Sequence, residues 1–401
     1  MSAPESVLRH DRQDSQVQAS AIGLFLSFLR LGTTAFGGPA MVAYIRDLAV
    51  QKKRWLDEES FLSGTALCQS IPGATAMQTA AYVGLRAGGP LGALAAFAGF
   101  GLPAFALMVA LSAAYQAGRD FQPVLATFRG LHVIVIAIIA NAAVNFGRGS
   151  VKNWRDALLT GGAAVCLALH GSPIMTIAAA GAGGILLYRG VAMPQAKPGA
   201  SSPVPARALM RWAVTFAMVV AGGLAALFFA SRKLFDLAAV MLKVDLFAFG
   251  GGFASIPLML HEVVDVRHWL DGKTFMDGIA LGQVTPGPIV ITATFIGYQF
   301  AGLPGAAVGT LAVFSPSFFM VLMAVPHLDR LQKSILFQRA LRGVLASFVG
   351  LLLAVAVNFG LVASWSVPAA VLSAAAFVAL RLKADILWVV LVGAVLSVFI
   401  L

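Results

Sequence analysis

AFGGPAM at 35–41 returns as AFGGGFA at 248–254, and ALCQSIPGA at 66–74 returns as ALGQVTPGP at 280–288. Between these blocks RWLD at 54–57 returns as RHWLD at 267–271, and beyond them AVNFG at 143–147 returns letter for letter at 356–360. The offset is 213 residues, or 214 through the middle blocks, where the second copy carries one extra residue. The chain is therefore read twice, and each copy interrupts apolar sequence with glycine and proline at matching places. A duplicated hydrophobic chain with paired Gly/Pro breaks is the sequence sign of a secondary transporter.

Working outward, the 401 residues are 59% hydrophobic and 11% charged, with mean hydropathy +0.86. A soluble domain carries about 25% charged residues. Apolar runs long enough to cross ~30 Å of hydrocarbon recur along the chain, and no short alternating segments of a β-barrel occur. The fold class is thus an all-α polytopic membrane protein. The net charge of +11 sits mostly between apolar runs. It is assigned to orientation by the positive-inside rule, with some left to attract an anionic substrate, and not to nucleic acid. The first twenty residues are polar and lack the apolar middle of a signal peptide. Cys68 and Cys166 lie in apolar segments and are expected to pack rather than bridge. Six scattered histidines show no metal-ligand spacing, so no metal and no cofactor are expected. No Walker loop, HExxH or GxSxG motif is present, so ATP-driven pumping and hydrolytic catalysis have no sequence support; the protein is not expected to be an enzyme.

The organisation expected is a polar tail at 1–20, a first repeat at 21–190, a Pro/Ala/Ser-rich linker at 191–210, an unpaired transmembrane helix at 211–230, and a second repeat at 234–401. Each repeat contains six hydrophobic passes, in the first at about 21–49, 61–84, 90–117, 124–146, 156–170 and 173–190. Six is even, so the unpaired helix inverts the second repeat. Loop charge agrees. The loop after the fourth pass carries Arg148, Lys152 and Arg155 in the first repeat and no Lys or Arg in the second, whereas the next loop is bare in the first and carries Arg381 and Lys383 in the second. This switching places the N-terminus inside and the C-terminus outside. One loop disagrees, because Lys52, Lys53 and Arg54 would face outside. A re-entrant 61–84, dipping in at Pro72-Gly73 and returning, stays open as an alternative.

Three sets of residues are candidates for substrate binding, and one further residue for coupling. Gly37-Gly38-Pro39 and Gly250-Gly251-Gly252 break apolar helices, and an unwound backbone in lipid needs protein, water or ligand as partner. Half-helix N-termini at such breaks favour anions; the alternative is close helix packing. Gln69 and Gln283 each stand three residues before the breaks Pro72-Gly73 and Pro286-Gly287, where an amide can donate to an oxygen ligand or merely brace a kink. Arg30 and Lys243 align about two turns before the glycine breaks, as buried charges or as snorkelling side chains. Asp245, with Gly32 as its counterpart, is a coupling candidate or a local partner of Lys243. Asn145 and Asn358 read as polar helix ends bonded to nearby backbone.

With these motifs on the page, the chain resembles the chromate ion transporter family in its long two-domain form. The resemblance covers nearly all of 20–401 and rests on FGGP with FGGG, RWLD with RHWLD, and QSIPG with QVTPG. It implies export of chromate from the cytoplasm through the inner membrane, conferring chromate resistance, with sulfate as the related oxyanion. It carries family roles to Gly37, Gly38, Pro39, Gln69, Pro72, Gly73 and their second-repeat matches. Gly252 stands where the first repeat has Pro39, which puts a strictly two-fold site in doubt. Alternatives are a sulfate importer coupled to cations and an anion channel. The oligomeric state, homo-oligomer included, and the choice between chromate and sulfate are not legible.

Overall fold

The structure is a computed structural model that describes residues 19–36, 40–118, 121–191, 205–327 and 333–401. Gly37, Gly38 and Pro39, the tail to residue 18 and most of the linker expected at 191–210 lie outside the described residues. Among the described residues all regular structure is helical. The first repeat holds α1 (Ala21–Gly32), α2 (Ala40–Arg46, extended by a wide turn over Asp47–Lys52), α3 (Glu58–Ser70), α4 (Thr75–Gly118), α5 (Gln122–Ser150), α6 (Trp154–Ala168) and α7 (Pro173–Leu187). The connecting helix α8 (Ala206–Ala230) starts about a turn before its apolar run. The second repeat holds α9 (Arg232–Phe247), α10 (Ser255–Leu260), α11 (Gly272–Val284), α12 (Thr292–Ala324), α13 (Ile335–Val362), α14 (Val367–Arg381) and α15 (Ile386–Ile400).

The repeated motifs act locally. RWLD and RHWLD are helix starts: Asp57 accepts from the Ser60 amide at 2.8 Å, and Asp271 from the Lys273 and Thr274 amides at 2.9 and 3.0 Å. A carboxylate at this position satisfies amides left bare by the first turn and meets the positive end of the helix dipole. Each Pro-Gly ends the helix so started, because proline lacks the amide and glycine supplies a left-handed residue. Gly73 and Gly287 both sit at φ +119°.

The first two hydrophobic segments of each repeat do not cross the bilayer; they double back. Tyr82 donates to the Ser60 carbonyl at 3.1 Å, so α3 and the opening limb of α4 lie antiparallel with Pro72-Gly73 at the tip. A continuous helix would hold those residues ~33 Å apart. In the second repeat Phe295 packs against Gly278 in the same way around Pro286-Gly287. The re-entrant alternative for 61–84 is therefore the one observed, and the single pass is corrected. The first segment is corrected too: Phe28 stacks on Trp55 with centroids 6.2 Å apart, and Lys243 meets Glu262 across the second glycine break. Each limb is about 20 Å long, which is too short to span.

Among the described residues, five helices are long and apolar enough to cross: α4 beyond its fold-back at Gly88–Gly89, α5, α8, α12 beyond Ala301–Gly302, and α13. The terminal hairpins α6–α7 and α14–α15 add helices in pairs and leave the parity unchanged, so an even number of crossings precedes α8, it adds one, and the second repeat still starts on the opposite face. The hairpin also answers the loop that broke the charge pattern. Arg46 and Ser150 line one cavity, so the return of the first segment carries Lys52–Arg54 to the same end as Arg148–Arg155.

The repeats exchange contacts pairwise. Gly73 N donates to Ala248 O at 2.9 Å, and Gly287 N to Ala35 O at 3.0 Å. Thr160 Oγ1 donates to Ala346 O, and its counterpart Ser373 Oγ to Val133 O, both at 2.9 Å. Reciprocity of this kind is a pseudo-two-fold. The terminal hairpin of each repeat packs on the long fourth-segment helix of the other: α6 and α7 on α13, α14 and α15 on α5. Small residues allow it, with Gly350 against Thr160 and Gly184 against Gly343. Lipid offers no hydrophobic gain between helices, so close backbone approach and dispersion supply the attraction. Arg342 adds a bidentate pair to buried Asp156, at 3.0 and 3.1 Å, and Arg381 reaches Asn145 at 3.0 Å. Asn145 is thus a tie between repeats and not a helix end bonded to its own backbone.

The hairpin makes a topological prediction. Cysteines placed at Gln51, Ser150 and Ser334, one at a time in a background lacking Cys68 and Cys166, should all react with an impermeant thiol reagent from the same membrane face. Labelling of Gln51→Cys from the face opposite to Ser150→Cys would mean that the first segment crosses.

Candidate functional site

The break of the second repeat and the hairpin tip of the first meet in one cavity of about 600 Å³. Its polar wall is Arg46, Thr65, Gln69, Thr75 and Ser150, its backbone wall Gly250–Gly252, and its apolar wall includes Phe146, Phe253 and Leu345. Two helix starts converge here. The first-turn amides of α4, from Thr75 on, have no intrahelical partner, and the chain re-enters helix at Gly252–Ala254 leading into α10. Gly250 and Gly251 hold φ +92° and +95°, and a Cβ on Gly251 would lie 3.2 Å from Thr75 Oγ1. A side chain would therefore be strained there and would fill the gap between the two helix starts. Thr65 Oγ1 is buried without a partner, and Gln69 is exposed into the cavity. Donors aimed from two helix termini into a recess are what an oxyanion needs. Arg46 is held by Glu58 in a bidentate pair at 2.7 and 2.8 Å, so this guanidinium is oriented and its charge locally balanced.

The sequence-selected residues divide. Gln69 and Gly250–Gly252 are brought together; Pro72 and Gly73 form the tip behind them. Gly37, Gly38 and Pro39 lie outside the described residues. Arg30 ends α1 with an exposed side chain, and Lys243 turns to Glu262 at 2.5 Å. Neither lines the cavity, and Lys243 does not pair with Asp245. Gln283, Pro286 and Gly287 occupy the pseudo-symmetric position, whose described residues are more deeply buried. There Gln283 Nε2 is buried with no partner, and Ile279 stands where the open side has Thr65, while Ile289, the counterpart of Thr75, itself lines the open cavity.

A polar cluster, here called the latch, joins the repeats on that side. His132 Nε2 lies 2.6 Å from Asp277 Oδ1, and Tyr115 donates to Asp277 Oδ2 at 2.9 Å. It joins α5 and α4 of the first repeat to α11 of the second. Their matches on the open side include Leu345 for His132 and Ser63 for Asp277, which cannot form such a bond. Sequence reasoning missed Arg46, Thr65 and this latch. Each is polar in one repeat and apolar or small in the other (Met259 matches Arg46), so the signal lay in the mismatches of the alignment and not in its matches.

A family model described as "Chromate transporter" matches twice, at residues 22–185 and 235–398. The chain belongs to the chromate transporter family. It is 33% identical to a chromate transport protein of Cupriavidus metallidurans over 82% of this chain and 79% of that one. It is 32% identical to a chromate transport protein of Pseudomonas aeruginosa over 89% and 85%. An uncharacterized transporter of Methanocaldococcus jannaschii is 41% identical over 98% of both chains. No solved structure matches. The family is one of transporters and not of enzymes, and its two matches coincide with the two repeats that frame the cavity.

If the Gly251 backbone faces an anion, Gly251→Val should leave membrane levels near normal and abolish chromate flux, with Gly251→Ala impaired as well. Loss of folded protein with rescue by Ala would make the glycine a packing residue instead.

Proposed function

We propose that this protein exports chromate from the cytoplasm across the inner membrane by alternating access, with the cavity at Gln69, Thr65, Thr75 and Gly250–Gly252 as the inward-facing oxyanion site. The observation that supports this reading is the inequality of two pseudo-symmetric positions, one an open cavity lined by donors, the other more deeply buried and bridged by His132, Asp277 and Tyr115. A rocking motion that exchanged the two would open the second and seal the first. A channel would need both ends continuous at once, which the latch opposes.

Orientation follows from charge. Lys52–Arg54, Arg148–Arg155, Arg189, Arg381 and Lys383 favour the cytoplasmic side for the end onto which the cavity opens. An inside-negative potential then favours export: a charge moved across 100 mV is worth about 2.3 kcal/mol, and a dianion twice that. Uptake of the same ion would need several co-transported cations. Chromate is favoured over sulfate because the Cupriavidus and Pseudomonas relatives are chromate transport proteins. Within the site, Gln69 and Thr65 donate to the ion, the amides of the two helix starts receive its remaining oxygens, and Arg46 adds charge once it swings from Glu58.

Gln69→Ala should weaken chromate affinity by roughly ten- to a hundred-fold, the loss of one hydrogen bond to a charged group at ~1.5–3 kcal/mol, with folded yield unchanged. Saturable chromate flux in proteoliposomes, competed with sulfate, measures it; wild-type affinity in the variant would return Gln69 to a structural role. Separately, Asp277→Asn should raise the reactivity of a cysteine at Gln283 toward an impermeant reagent applied from the side opposite the cavity. No change would remove the latch from the gating scheme.

A further inference from the structure

Behind the hairpin tip lies a second polar cluster that the oxyanion site does not use. Asp245, on the last turn of α9, is fully buried. Ser317, from α12, donates to its Oδ2 at 2.6 Å and in turn receives the Ala74 amide at 2.7 Å. The tip is thereby tied to the carboxyl: Gly73 N binds Ala248 O, and a Cβ on Gly73 would lie 3.2 Å from Asp245 Oδ2 and 2.6 Å from Gln78 Nε2. Gln78 is also fully buried and donates to the Pro72 carbonyl at 2.5 Å. Two acceptors are left without partners, Asp245 Oδ1 and Gln78 Oε1.

Among the described residues, no cation pairs with this carboxyl. On its own helix, Lys243 turns to Glu262, and Arg232 and Asp236 pair with each other a few turns away. From the packed elements, α12 offers Tyr298 as its sole titratable side chain. The segment around α10 offers His261, Glu262 and Asp265, and α8 offers Arg207 and Arg211 in its first turns. The opening limb of α4 offers Tyr82 and Arg86 near its far end. Asp245 joins none of them in an ion pair. A bare carboxylate in hydrocarbon surroundings is unstable unless neutralised or hydrated. A lone free oxygen suits a proton; a metal cation needs several more ligands.

We propose that Asp245 is a proton-binding site that couples transport to proton movement, one proton per cycle, with Ser317 as the relay to the Pro72-Gly73 tip. A proton on Oδ1 neutralises the carboxyl, turns one of the two unpartnered acceptors into a donor, and permits the docked tip that frames the open cavity. Its loss leaves a charge that must be hydrated, which separates the tip from α9 and α12. The count of one comes from the pseudo-symmetric node, where Gly32 and Ala104, neither of them titratable, replace Asp245 and Ser317 around Gly287. This deepens the transport proposal and rests on it for the cargo, but the proton site itself does not depend on chromate.

Two measurements separate the two. In infrared difference spectra of the purified full-length protein between alkaline and acid medium, wild type should show a protonated-carboxyl carbonyl band that Asp245→Asn removes. If Asn leaves every such band in place, the proposal fails. In proteoliposomes with a trapped pH dye, chromate flux by wild type should move protons and respond to a pH gradient. Asp245→Asn should keep chromate–chromate exchange but lose both effects. The double variant Asp245→Gly, Ser317→Ala copies the other node, which the fold already tolerates, and should behave alike. Proton movement that survives in either variant overturns the coupling. The infrared band without any chromate flux would sustain the proton site and sink the chromate assignment.

Discussion

Hydrocarbon offers no hydrogen bonds, so every backbone group at membrane depth must find its partner inside the protein. This chain breaks its helices four times at that depth, and the breaks satisfy one another. The amide of each Pro-Gly tip binds the carbonyl just before the glycine break of the other repeat, Gly73 to Ala248 and Gly287 to Ala35. Neither repeat can close its own breaks alone. The pseudo-two-fold, the placement of the cavity between repeats and the proximity of Asp245 to a tip from the other repeat all follow from that exchange.

The exchange fixes geometry but leaves the chemistry free to differ on the two sides. One side has Thr65, Asp245 and Ser317; the other has Ile279, Gly32 and Ala104 at the same places. Backbone contacts are kept twice because both sets of breaks need them. Side-chain polarity is kept once. A carrier built from two equal halves would present two equal sites; this one concentrates its donors on one side and its latch on the other.

Much of this was legible in the sequence, for identifiable reasons. The repeats, the breaks and the helical class are local or periodic signals, and each Gly and Pro stands where the backbone requires it. The fold-backs were not decided, because 21–49 and 61–84 are as long and as apolar as crossing helices. Only the Ser60–Tyr82 and Phe28–Trp55 contacts tell a hairpin from a span. Arg30 and Lys243 were chosen because charges at membrane depth draw attention, yet both reach a carboxylate or an exposed face. Arg46 and the His132–Asp277 pair escaped because their partners come from elsewhere in the chain, and a search for what the repeats share passes over what they do not.

The interlocked hairpins bear on how the chain is made. Val133 on α5 waits for Ser373, which is synthesised 240 residues later. Until then the groove on α5 that α14 and α15 will fill stands open to lipid or to a chaperone. Contacts this distant in sequence are slow to form, and partly assembled membrane chains are the species that quality control removes. A truncation of α14 and α15 would therefore strip cover from the first repeat, which was inserted long before, and not only from the second. The ribosome must finish the last hairpin before the first repeat is complete.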